Sequence, residues 1–233
     1  MTTAKKIERR LKGLGDKATA AQSMQFFKTG PGQYGEGDLF IGIRAPILRS
    51  LSKELIDTAL EDTIELLQSP IHEARMLALF IMVLQAKRGD DSAARYRAYL
   101  ANTAKINNWD LVDMSAMHII GAHLFERSRK PLYKLAKSKS LWERRIAIIA
   151  TFHFIRQNDF DDTLAIADLL LNDPEDLMHK ATGWMLREVG NRDLATEEAF
   201  LLPRYNQMPR TMLRYAIERF DKPRYQACLH GTL

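Results

Sequence analysis

The sequence predicts an all-α protein: a curved solenoid of stacked antiparallel helix pairs. Three observations predict it. Apolar residues recur at helical spacing almost throughout the chain, and no convincing strand run interrupts them. Prolines and short polar clusters divide the periodic stretches at intervals suited to packed helices. Arg75, Asp110, Arg145 and Lys180 stand 35 residues apart, in the windows HEARMLALF, NWDLVDMSA, ERRIAIIAT and HKATGWMLR. One more step reaches Tyr215, in TMLRYAIER. A period near 35 with two helices per unit is the mark of a stacked-pair array. Identity between the windows is low, so an irregular helical bundle is the competing architecture.

The elements follow in order. Residues 1–12 read as a basic amphipathic helix, a docked or frayed terminal element. Residues 29–38, TGPGQYGEGD, carry four glycines and one proline and read as a loop between early helices. These glycines do not cradle phosphate, because no strand precedes them and no Gly-Lys-Ser/Thr follows. Pro70 stands before Ile71–Lys87, IHEARMLALFIMVLQAK, a long apolar helix. Asp90-Asp91 makes a polar joint, and Ala93–Ala104 opens the next pair. Pro131 marks another start, and Leu141–Gln157, LWERRIAIIATFHFIRQ, is helical throughout. Asn158-Asp159 then leads to Thr163–Leu171, and Pro174 precedes the helix carrying HKATGWMLR. Asn191-Arg192-Asp193 is the last clear joint.

Composition narrows the class. The chain has 233 residues, 46% hydrophobic and 27% charged, which suits one folded domain over residues 1–233 and excludes general disorder. No run approaches the roughly 18 apolar residues of a membrane span, and the start MTTAKK lacks the apolar stretch of a signal peptide. Cys228 is the single cysteine, which excludes an internal disulfide and a four-cysteine metal site and is compatible with the cytoplasm. The six histidines form no H-E-x-x-H motif or carboxylate-rich cluster, so no metal or other cofactor is expected. The serines Ser115 and Ser140 have no evident base. The net charge is +5, with the excess concentrated in Lys5–Lys17 and Tyr205–Arg224, a distribution that suits a polyanionic partner.

A solenoid of helix pairs lines its concave side with one helix from each pair, so equivalent positions face one groove. At about 100° per residue, Trp109, Asp113, Arg145, Lys180 and Trp184 fall within one arc of about 140° measured from the register position. Two indoles, a carboxylate and two cations are thereby expected on a common surface. Each also has a structural reading. The tryptophans, with Trp142, suit ordinary packing. Asp113 sits among Val112, Met114 and Ala116, where an unpaired carboxylate is costly, and suits an ion pair with an arginine of another repeat. Arg144, Arg145 and Lys180 suit a solvated face.

These residues also carry a likeness. FFKTGPGQYGEGDLFIGIRAPILR at 26–49, NNWDLVD at 107–113, WERRIAI at 142–148 and HKATGWMLREVG at 179–190 together resemble the DNA alkylation repair glycosylase family built of HEAT-like repeats. The resemblance covers approximately residues 15–220. It implies a HEAT-like α-α superhelix gripping duplex DNA, and hydrolysis of the N-glycosidic bond of N3- and N7-alkylated purines in base excision repair. It puts Asp113, Trp109 and Trp184 in the catalytic site. It makes Arg145 a DNA contact, and Arg144, Lys180, Arg75, Arg44, Lys28, Arg187 and Arg214 are the further candidate cations. Duplex DNA containing alkylated bases is the expected partner, with no obligatory protein partner and a monomeric state. The sequence departs from the family in one respect: Asn108 stands where the best-characterised branch has an aromatic residue before the tryptophan, so one ring is missing. The Gly-rich segment also resembles a different branch. A non-catalytic binder of damaged or distorted DNA and a helical-repeat protein-interaction scaffold are the alternatives, and a scaffold needs no carboxylate between indoles.

Overall fold

The computed structural model describes residues 2–230. They contain no strand; the one β-type contact is an isolated bridge between Leu39 and Ile71. Helices occupy the chain in two compact units, Met1–Ile120 and Gly121–Leu233, and each is described by itself. No helix among the described residues is long and apolar enough to cross a membrane.

The first unit is built from α1 (Thr3–Lys12), α2 (Lys17–Phe26), α3 (Ala45–Glu54), α4 (Leu60–Leu67), α5 (His72–Arg88), α6 (Ser92–Ala101) and α7 (Trp109–Asp113). The central element is α5, packed against α1, α3, α4, α6 and α7. Ala74, Leu77, Ala78, Leu79, Ile81 and Met82 are fully buried, so this helix is covered on all sides from His72 to Val83, as the apolar run from Met76 to Val83 requires. Gly89, with φ of 95°, ends it in the left-handed conformation. The amphipathic first helix is docked through Ala4, Ile7 and Leu11, spaced three and four apart, and packs on α4. The 93–104 helix ends early, at Ala101, where Asn102 departs from helical geometry and turns its amide back to the Ala98 carbonyl. The Gly-rich residues 29–38 lie between α2 and α3.

The second unit contains α8 (Ala122–Leu124), α9 (Lys130–Ala136), α10 (Leu141–Ala150), α11 (Phe152–Ile155), α12 (Asp161–Leu169), α13 (Asp176–Gly190), α14 (Leu194–Leu201), α15 (Arg210–Ala216) and α16 (Lys222–His230). Here α13 is central, packed on α10, α11, α12, α14 and α15. Its approach to α15 depends on Gly183: a Cβ there would stand 2.3 Å from the Met212 carbonyl oxygen. The stretch 141–157 is not one helix. It breaks at Thr151, whose hydroxyl donates to the Ile148 carbonyl at 2.7 Å and competes with helix continuation.

One buried acid in this unit sets a pH dependence. Glu197 is 1% exposed, and its carboxyl is pushed up to about 8 by burial and by the neighbouring Glu198, against the weaker pull of Arg187. An unfolded chain ionises this group near 4.5, so stability falls as pH rises from there to about 8. Glu197→Gln is expected to flatten that decline. At pH 8 it should be more stable than the wild type by on the order of a few kcal/mol. Denaturant unfolding at pH 5 and pH 8 measures the effect; an unchanged slope with pH would show that Glu197 ionises normally in the folded chain.

Candidate active site in the first unit

Trp109 and Asp113 begin and end the five-residue α7. The helix starts there because Asn108 caps it, its side-chain oxygen accepting the Trp109 N–H at 2.8 Å. Residues at i and i+4 share a helix face, and both side chains line one cavity of about 490 Å³. Its remaining walls come from α2, α3, α5 and the segment between α2 and α3, with Phe27, Phe40, Ile43, Met76 and Phe80 as the apolar lining. Arg44 and Arg49 also line it.

The aromatic wall is continuous. Trp109 stacks on Phe27 with centroids 5.3 Å apart and planes at 26°. Phe27 stacks in turn on Phe40 at 5.0 Å, and Phe40 on the His72 imidazole at 4.3 Å. The Trp109 indole N–H donates to the Tyr34 hydroxyl at 3.3 Å. Such offset stacks add to the stabilisation from simple burial. The ring that stacks on Trp109 is thus Phe27, delivered by the end of α2.

A buried charge network lies behind this wall. His72 Nδ1 is 3.0 Å from Asp38 and Nε2 is 2.9 Å from Asp110. A carboxylate only accepts hydrogen bonds, so an imidazole held between two of them donates from both nitrogens and is cationic. Burial favours the neutral ring, but the bonds to Asp110 and Asp38 outweigh it and raise the His72 pKa. Asp38 also takes Arg75 at 2.5 Å and the Asn108 amide at 3.3 Å. Burial opposes its charge, yet His72, Arg75 and Asn108 hold its carboxyl below the usual carboxylate range. Asp38 thus ties the Gly-rich segment to α5 and to the cap of α7. Next to His72, Glu73 gathers the backbone N–H groups of Ile41, Gly42 and Ile43, with Gly42 at 2.7 Å. Gly42 has φ of 85°, and a Cβ there would meet the Asp16 carbonyl at 2.0 Å. The loop is fixed where it borders the cavity.

The structure places the expected site residues as follows. Trp109 and Asp113 line the cavity together. Lys28 and Arg44 are exposed in the same unit, Lys28 over the Tyr34 ring at 6.0 Å, and Arg44 lines the cavity. Arg75, expected to reach phosphate, is instead 3% exposed and donates to Asp38, Asn107 and the carbonyls of Ser69 and Pro70. Four internal acceptors thus hold its guanidinium away from solvent. In the second unit, Arg145 is 5% exposed and donates to the Leu177 carbonyl. Arg144 pairs with Asp173 at 2.6 Å, Lys180 with Asp176 at 2.7 Å, and Arg187 with Glu218 and Glu188. Arg214 is exposed. Trp184 donates its indole N–H to Glu188 at 3.0 Å and meets Phe152 edge-on at 5.8 Å. The sequence reading missed Phe27, Phe40, Tyr34, Asp38, His72 and Asp110. Among the described residues, no group of three His, Cys, Asp or Glu side chains is arranged to hold a metal ion.

Comparison with known proteins adds the context. The family described as "DNA alkylation repair enzyme" matches residues 7–220. A solved structure described as "Predicted DNA alkylation repair enzyme from Enterococcus faecalis" is similar, with a TM-score of 0.70 and 20% identity over 89% of this chain and 97% of that one. At that identity the likeness is one of fold. No curated protein matches the sequence.

Proposed function

Because the chain belongs to the DNA alkylation repair enzyme family, we propose that it is a monofunctional glycosylase that hydrolyses the N-glycosidic bond of N3- and N7-alkylated purines in duplex DNA. The observation that carries this reading is the shared cavity of Trp109 and Asp113, walled by stacked aromatic rings. An alkylated purine of this kind is already cationic and leaves readily. The C1′–N bond breaks with its electron pair going to the base, and positive charge grows on the deoxyribose. A carboxylate at Asp113 stabilises that charge and orients the water that adds to C1′, whose proton passes to the carboxylate or to solvent. The Trp109 indole attracts the cationic lesion or sugar, an effect of roughly 0.5–2 kcal/mol. No lysine lines the cavity, which suits hydrolysis without lyase chemistry.

The helical alternation supports a HEAT-like repeat reading. The positions 35 residues apart, Arg75, Asp110, Arg145, Lys180 and Tyr215, all fall on helices, with other helices between them. Lys28, Arg44, Lys180 and Arg214 are the expected cations best placed by exposure to contact phosphates. Trp184 stands as a second candidate indole and Arg145 as a candidate DNA contact whose burial gives it a packing role as well. Incubation with duplex DNA methylated at purine nitrogens tests the function directly. Chromatography is expected to find free N7-methylguanine or N3-methyladenine. DNA binding with no released base would make the protein a non-catalytic binder, and absence of binding would favour a protein-interaction scaffold.

A further inference from the structure

A second cavity, of about 340 Å³, lies beside the first within the same unit. Arg49, Phe80 and Met114 border both, so the two are contiguous. Its ionisable lining is Arg49 and Lys53 from α3, Lys87 from α5, and His118; no Asp or Glu lines it. Arg49, Lys53 and Lys87 are exposed and form no ion pair among the described residues. The carboxylates nearest to them in sequence are directed elsewhere. Glu54, next to Lys53, pairs with Arg10 at 2.8 Å. Asp90 and Asp57 pair with Arg88, next to Lys87, at 2.8 and 2.7 Å.

We propose that this groove carries the sugar–phosphate backbone of DNA leading from the nucleotide held at the first cavity. The proposal rests on reading that cavity as a lesion site. Arg49 and Lys53 are four apart on one helix, which brings their Cβ atoms within about 6 Å, so the pair presents charge to successive backbone phosphates rather than to one isolated anion. The Arg49 guanidinium lies over the Phe80 ring, 5.3 Å from its centroid. The ring covers one face and leaves the N–H edge to donate. Val83, Leu84 and Met114 supply an apolar floor, suited to deoxyribose, and apolar walls focus the field of the cations above them.

The test is a triple variant, Arg49→Gln, Lys53→Gln and Lys87→Gln, in the full chain. Glutamine keeps helix propensity at each position. Affinity for a methylated duplex is measured across a salt series, with thermal unfolding as the check on folding. Each lost phosphate contact lowers the slope of log K against log salt by about 0.9, so the slope should fall by about 2 to 3. The variant with Arg49→Lys, Lys53→Arg and Lys87→Arg keeps the charge and should keep the slope. In the double variant Lys53→Gln, Lys87→Gln, which leaves Arg49 at the first cavity in place, base release by saturating protein should change far less than affinity. A folded glutamine variant with wild-type affinity and slope overturns the groove while leaving the lesion site standing. A lowered slope in a protein that releases no base supports the groove and removes the glycosylase reading. A wild-type protein that binds single-stranded RNA or an acidic protein through these residues, and not duplex DNA, overturns the groove as a DNA path.

Discussion

Asp113→Asn is expected to slow release of N7- or N3-alkylpurine by about 100-fold or more, the scale on which one preorganised electrostatic group acts, and to leave DNA affinity within a few-fold of the wild type. Asparagine keeps the shape of the side chain and removes its charge. A carboxylate that stabilises charge growing on the sugar acts in the transition state, so its loss lowers the chemical rate more than it weakens binding. Asp113 is half-buried at the end of α7, and a structural role predicts a different result. If its charge chiefly balances a neighbouring cation, the variant loses stability instead of rate. Single-turnover release with saturating protein, measured beside thermal unfolding, separates the two. Wild-type release by folded Asp113→Asn would falsify the catalytic assignment. Trp109→Ala is the companion measurement, because removing the indole also removes its stack on Phe27.

The second large effect concerns stability. Asp38→Asn is expected to destabilise the protein by about 3–5 kcal/mol, the usual cost of removing one partner from a buried ion pair. Arg75 is 3% exposed and has Asp38 as its carboxylate partner; without that charge, a buried cation is left uncompensated. The pH dependence should change with it. The Asp38 pKa is lowered on folding, so its contribution is complete above the usual 3.8 and is lost as pH falls through the depressed value. The His72 pKa is raised, so its contribution is complete below the usual 6.5 and is lost as pH rises through the raised value. In Asp38→Asn both dependences should weaken. Denaturant unfolding from pH 3 to pH 9 measures this, and a cost under about 1 kcal/mol would show that Arg75 finds adequate partners among the neighbouring carbonyls.

Much of the helical layout is legible in the sequence. Pro70, the apolar run after it and Gly89 delimit α5 because proline suits a helix start and glycine its end. Trp109 and Asp113 were legible as a pair because i and i+4 residues share a face on any helix. The network behind them was not, since nothing in a one-dimensional pattern brings Asp38 to a position 34 residues later. A weaker signal is present: His72, Glu73 and Arg75 open a helix whose next stretch, Met76–Leu84, is apolar throughout. Ionisable groups in such a helix need partners from elsewhere in the chain. The same rule accounts for the inward course of Arg75, which lies in the covered part of the helix and turns to Asp38, Asn107 and the Ser69 and Pro70 carbonyls.

Phe27 has a consequence for how the aromatic wall depends on the Gly-rich loop. The residue directly before Trp109 is Asn108, so the indole takes its stacking partner from elsewhere in the chain. That partner, Phe27, lies 82 positions before Trp109, its ring 5.3 Å from the indole and inclined to it by 26°. Tyr34, from the Gly-rich loop that follows α2, accepts the hydrogen bond of the same indole. A change in the length of that loop would therefore reach the aromatic wall twice, through Tyr34 and through the placement of Phe27, without touching α7.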